Sequence, residues 1–204
     1  VNAVARTSTR DIARAAVRAE LAQVAFGLFL REGFAKVTLD DLATAAGVSR
    51  STFLRYFGTK EDAVLGAFDE HGRQVADALR ARPAAEDDWT ALRRALDLVL
   101  DRKRQDPASS LALTRLVQDT PALCSRQLEQ QHGWRPLLAA ALAEREDGDG
   151  EDAAGTAHVT VRHEVRAAAA LDCLNVALDH WTASDGHLDL AALLDDAFAA
   201  LTPN

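Results

Sequence analysis

The chain has 204 residues, 42 of them Ala and 28 Leu against one Ile and one Tyr, so helix formers dominate and strand formers are scarce. Hydrophobic residues make up 48%, enough to bury a sizeable core, which excludes a mostly disordered chain. The net charge of −8 is unevenly spread: residues 1–60 carry nine Lys/Arg against five Asp/Glu, and residues 61–204 carry 14 against 26. A small nucleic-acid-binding head on an acidic body would show such a split. No apolar run reaches the roughly 18 residues of a membrane span, and no signal pattern opens the chain. Cys124 and Cys173 are too few for a disulfide framework and read as reduced thiols of a cytoplasmic protein.

The first helix is predicted over Thr9–Glu32, with Val17, Leu21, Val24, Ala25, Leu28 and Phe29 on one face. Gly33 ends it, and Phe34 is the apolar residue that follows such a cap. Thr38 opens a short second helix with Asp41 three residues on, a capping-box spacing. Ser49 caps a third helix after the Gly47 break, and Thr59 with Asp62 starts a long helix over 61–82. Beyond Pro83, helical patterns cover about 88–105, 108–119, 122–146, 156–184 and 189–201. Pro107 and Pro121 stand where a helix start tolerates proline. The acidic, Gly-rich stretch 147–155 reads as a mobile loop; it lacks the ligand order and closing Glu of a calcium loop.

The informative unit is Thr38 to Lys60, TLDDLATAAGVSRSTFLRYFGTK. Two short helices flank a tight turn in which Gly47 supplies a left-handed backbone. Leu42, Ala43, Val48 and Phe53 are spaced to bury between them, which leaves Arg50, Ser51, Thr52, Arg55 and Tyr56 outward. Small hydroxyls and Arg at the start of such a helix suit the major groove, where Arg reads guanine. An ordinary helical corner with solvated polar residues would share this geometry; the basic head argues against it.

The stretch from about Val17 to Leu65 resembles the DNA-binding domain of TetR-family transcriptional regulators. The matching features are Arg31-Glu-Gly-Phe34, Thr38, Asp41-Leu-Ala-Thr-Ala-Ala-Gly-Val-Ser49, Thr52-Phe-Leu-Arg-Tyr-Phe57 and Gly58-Thr-Lys-Glu61, in the family's order and spacing. The resemblance implies an all-α fold: a three-helix helix-turn-helix domain over 1–60, then a helical bundle over 61–204 for effector binding and dimerisation. It also implies that Thr38 and Lys60 clamp phosphates, that Arg50, Ser51 and Thr52 lie nearest the bases, and that Tyr56 touches the backbone. Leu54 departs from the family, where many members have Tyr, so either a phosphate hydrogen bond is lost or Leu54 makes an apolar contact such as one to a thymine methyl.

In the body, Leu171, Leu174, Leu178 and Trp181 step by 3, 4 and 3, a stripe suited to packing another helix, and Leu190, Leu194, Ala197 and Leu201 repeat it. An internal core would explain either stripe; the family's two-helix dimerisation bundle is the other reading. By analogy, Trp89, His132, Trp134, Arg166 and Asn175 are candidate effector-pocket residues. No catalytic or metal-binding pattern stands out among the six His, and no cofactor motif appears. The expected function is a dimeric repressor released from a palindromic operator by a small apolar or amphipathic effector. A constitutive DNA-binding protein and, less favoured, a helical-bundle enzyme are the alternatives.

Overall fold

The computed structural model describes residues 9–66, 68–147 and 158–201. Every element in it is a helix, and the chain divides into two compact units, Val1–Gly66 and Ala67–Asn204. The acidic loop expected over 147–155 lies almost wholly outside the described residues.

In the first unit α1 (Thr9–Glu32) packs on α2 (Leu39–Ala45) and α4 (Lys60–Leu65), while α3 (Arg50–Tyr56) packs on α2. Each short helix has its start fixed locally. Thr38 Oγ1 accepts from the Asp41 N–H (3.2 Å) and the Asp41 carboxylate accepts from the Thr38 N–H (2.9 Å), a complete capping box. A hydrogen bond from the Thr38 hydroxyl, followed by the one from the Thr38 N–H, holds the Asp41 carboxyl below its usual range. Ser49 and Thr59 accept from the Thr52 and Asp62 N–H groups in the same way. Gly33 and Gly47 take φ of 85° and 66°, where a side chain would be strained. Behind these caps Leu21, Leu28, Phe29, Phe34, Leu42, Phe53 and Phe57 are buried, with the Phe29 ring tilted against Phe34 at 4.8 Å and Phe53 against Phe57 at 5.2 Å. Val17, expected on the apolar face, stands 42% exposed.

The single helix expected over 61–82 is two: α4 ends at a Gly66 C-cap, and α5 (Phe68–Arg80) is a separate element of the second unit. That unit continues with α6 (Asp88–Ala95), α7 (Asp97–Gln105), α8 (Pro107–Asp119), α9 (Pro121–Asp147), α10 (Val161–Ala183) and α11 (Leu190–Ala199). The predicted helix 88–105 is broken at Leu96, which caps both α6 and α7 and is itself buried. Helix α9 is central, packed on α5, α8 and α10, and runs unbroken past Pro136. Against it α5 approaches closely: a Cβ at Gly72 would sit 2.4 Å from Trp134 Cδ1. Helix α10 begins at Val161, where His163 Nδ1 accepts the Thr160 N–H (3.2 Å) and leaves the Nε2 proton for Glu146 (2.8 Å).

The leucine stripes belong to this core. Leu171, Leu174, Leu178, Trp181, Leu190 and Leu194 are all buried within the protomer, and only Leu201 is exposed. Their own bundle covers these side chains.

Candidate functional site

In the first unit the side chains singled out around α3 form a polar apex. Ser49 Oγ lies 3.0 Å from Ser51 Oγ and donates to Thr52 Oγ1 (2.9 Å), so three hydroxyls cluster at the start of the helix. Arg50 reaches back to Asp40 at 3.3 Å, with both side chains more than half exposed. Such a pair contributes at most about 1 kcal/mol and exchanges readily for a phosphate or base. Leu54 and Arg55 are exposed, and the Arg55 guanidinium lies 5.6 Å from the half-buried Tyr56 ring. Arg10, Arg14, Val17, Arg55 and Tyr56 line one shallow groove between α1 and α3, which adds two α1 arginines to the set found from the motif.

Thr38 and Lys60 carry structural duties as well. The Thr38 hydroxyl donates to Asp41 (2.6 Å), inside the capping box. Lys60 Nζ donates to the Phe34 carbonyl at 3.0 Å and the Val37 carbonyl at 3.4 Å, 4.3 Å from the Phe34 ring centroid. It thereby ties down the segment that joins α1 to α2. The phosphate roles carried over to both residues need these bonds to be shared or exchanged.

The second unit holds a cavity of about 140 Å³ bounded by α5, α7, α8, α9 and α10. Of the five candidates, Trp134 lines it; Asn175 stands behind it, exchanging two amide bonds with the lining Gln131 (2.9 and 3.0 Å). The other three lie elsewhere. Trp89 stacks on Phe198 at 4.4 Å and donates to its carbonyl beside a surface groove, Arg166 pairs with Asp88 at 2.5 Å, and His132 is exposed on α9. Leu174 and Leu178, expected from sequence at a dimer surface, line this cavity.

Sequence reasoning missed the polar wall: His71, Arg102, Lys103 and Thr114. Burial, aided by the charges of Arg102 and Lys103, pushes His71 down to about 4, so it is neutral near pH 7. Burial brings Lys103 down to about 8. In sequence these two cations sit in Asp101-Arg-Lys-Arg-Gln105, which reads as a solvated charge run. Only a helical projection setting them beside Val99 would have marked them.

Residues 21–65 match the family model described as bacterial regulatory proteins, tetR family, and residues 86–204 match that of the MftR C-terminal domain. The chain belongs to the TetR family. TetR proteins are transcriptional regulators and not enzymes. The chain is 33% identical over 141 residues to the HTH-type transcriptional regulator TcmR of Streptomyces glaucescens, a match covering 66% of this chain and 62% of that protein. It is 31% identical over 135 residues to MftR of Mycobacterium tuberculosis, named as a mycofactocin biosynthesis transcriptional regulator, covering 65% and 67% of the two. The TetR fold extends to the solved FadR repressor of Thermus thermophilus in complex with lauroyl-CoA, with a TM-score of 0.58, 20% identity and coverage of 90% and 92%. The SmeT–triclosan complex superposes with a TM-score of 0.61 at 16% identity, covering 91% of each chain. Among the described residues no helix is long and apolar enough to cross a membrane.

Proposed function

We propose that the protein is a homodimeric, ligand-responsive DNA-binding repressor acting in the cytoplasm, with residues 1–60 on an operator half-site and residues 61–204 binding a small apolar or amphipathic effector and dimerising. The observation that carries this reading is the presence in one chain of a capped helix-turn-helix with an outward Arg and hydroxyl apex and of a largely apolar cavity in a separate unit. The solved relatives that hold lauroyl-CoA and triclosan support an effector role for a cavity in this fold. Binding of an effector that prefers the DNA-free state shifts the population off the operator, and DNA weakens effector binding by the same coupling energy.

One short recognition helix spans too few base pairs for useful specificity, so two copies are required. With the stripes inside the protomer, the surface offered to a second copy is the opposite face of α10. Val161, Val165 and Val176 stand there 76%, 59% and 51% exposed, within about 60° of one another around the helix. A two-fold dimer implies a pseudo-palindromic operator.

Selection from randomised duplexes tests this reading. It should return a pseudo-palindrome, and Arg50→Ala should weaken binding to it by about 1–3 kcal/mol and relax one position per half-site. Lys60→Ala should weaken all sequences alike and flatten the salt dependence. A selection without consensus sinks the operator reading. An operator affinity unmoved by compounds that occupy the cavity reduces the protein to a constitutive binder.

A further inference from the structure

The withdrawn basic side chains of the second unit mostly hold carboxylates. Arg93 binds Asp97 at 2.6 Å and Asp195 at 2.5 Å, and Arg82 binds Glu86 at 2.7 Å. Arg102 and Lys103, consecutive in the last turn of α7, differ. Arg102 places Nη2 on Gln74, and its buried Nη1 has no hydrogen-bond partner among the described residues. Lys103 Nζ donates to Thr114 Oγ1 at 2.8 Å and lies 5.6 Å from the Trp181 ring centroid. Glu70, the acid whose charge acts on Arg102, is itself held by Arg73 at 2.9 Å.

Two cations thus line a cavity whose other walls include Val99, Leu113, Val117, Trp134 and Leu174. Residues 61–204 carry 12 more acids than bases, so carboxylates are abundant in sequence, yet none is among the described residues that line this cavity. Cations in the last turn of a helix complement its dipole, which accounts for the exposed Arg104 with its Asp101 partner. That explanation does not cover a buried guanidinium N–H left unsatisfied in an apolar wall.

We propose that this cavity receives a monocarboxylic acid with a compact apolar tail, its carboxylate taken by Arg102 and Lys103 and its tail by the Val, Leu and Trp wall. The inference rests on the reading of the cavity as the effector site and specifies its ligand class. The guanidinium fork matches a carboxylate, and Lys103 supplies a second, mobile donor. His71 is neutral near pH 7, so it adds no third charge. The volume resembles the roughly 150 Å³ engineered cavity that binds benzene, which favours a single ring or a short chain. A multiply charged anion would press its surplus charge against valine and leucine.

Calorimetric titration of the full chain at pH 7 with benzoate and its neutral counterpart benzamide tests the proposal. Benzoate should bind at least about tenfold more tightly, and Arg102→Gln and Lys103→Met should each remove most of that preference while leaving benzamide within about twofold. Lys103→Arg, which keeps the charge, should retain it, and thermal melts establish that each variant is folded. Equal affinities for the two compounds, binding of neither, or a benzoate preference indifferent to both charge-removing variants overturns the carboxylate site. Operator affinity measured alongside separates the two readings. Charge-selective benzoate binding that leaves operator affinity unchanged sinks the effector role and leaves the carboxylate site standing. Operator release by benzamide as readily as by benzoate does the reverse.

Discussion

His71 reports most directly on the electrostatics of the cavity. Burial, then the Arg102 charge, lowers it from 6.5 to about 4. Between those values the unfolded chain binds the extra proton, so the stability that neutral His71 contributes is present above pH 6.5 and is lost as the pH falls toward 4. Urea midpoints should therefore drop more steeply over that window in the wild type than in His71→Gln, and parallel curves would disprove the assignment. Lys103 runs on the same logic at the other end. With its value lowered to about 8 from 10.5, stability rises with pH between them as the unfolded chain holds the proton longer. Neither shift is visible in sequence, because both arise from atoms brought together out of α5, α7 and α8.

At the scale of elements, helices punctuated by their own side chains are legible and helices ended by distant ones are not. Thr38, Ser49 and Thr59 act on N–H groups three residues away, so the starts of α2, α3 and α4 follow from local spacing. The end of α5 depends on Arg145, 65 residues beyond its last helical residue, Arg80. That buried guanidinium donates to the carbonyls of Leu79 (3.4 Å), Arg82 (2.8 Å), Pro83 (3.1 Å) and Glu86 (2.9 Å), one acceptor in the last turn of α5 and three in the segment that joins it to α6. Arg145→Leu should cost at least about 2 kcal/mol of unfolding free energy in urea, against less than about 0.5 for the surface change Arg126→Ala. A loss no larger than that of the surface control would show the staple to be dispensable. The break at Leu96 is illegible for another reason: no Gly or Pro marks it, no side chain caps α7, and Leu96 keeps αR backbone angles. The α10 stripe was readable as an apolar face, but periodicity does not say which helix covers it.

For the whole molecule, burial decides what a charge does. Leu174→Arg forces a cation into the protomer core and should abolish cooperative folding, seen as loss of the thermal transition. Val165→Arg with Val176→Arg places charges on the exposed α10 face and should leave the melt intact while sedimentation shows monomers. A dimer that survives the valine pair would move the two-fold contact to another surface. A folded Leu174→Arg would contradict the burial of the stripe. The charge split legible in sequence, basic before residue 61 and acidic after it, remains a statement about surfaces. The core and cavity of the second unit come from positions that carry no charge signal, apart from the pair on α7.

Gly72 has a consequence for anyone wishing to retune what the cavity accommodates. With the Trp134 indole occupying the space of the missing side chain, the α5–α9 wall is set by the absence of one carbon atom. Even alanine there would drive the ring aside and reshape the chamber unpredictably, so this wall is closed to redesign. The opposite wall on α8, where Leu113 and Val117 present ordinary aliphatic volume, is open to it. Trimming or enlarging those two positions offers a graded way to alter ligand selectivity, with the polar end of the chamber left as it stands.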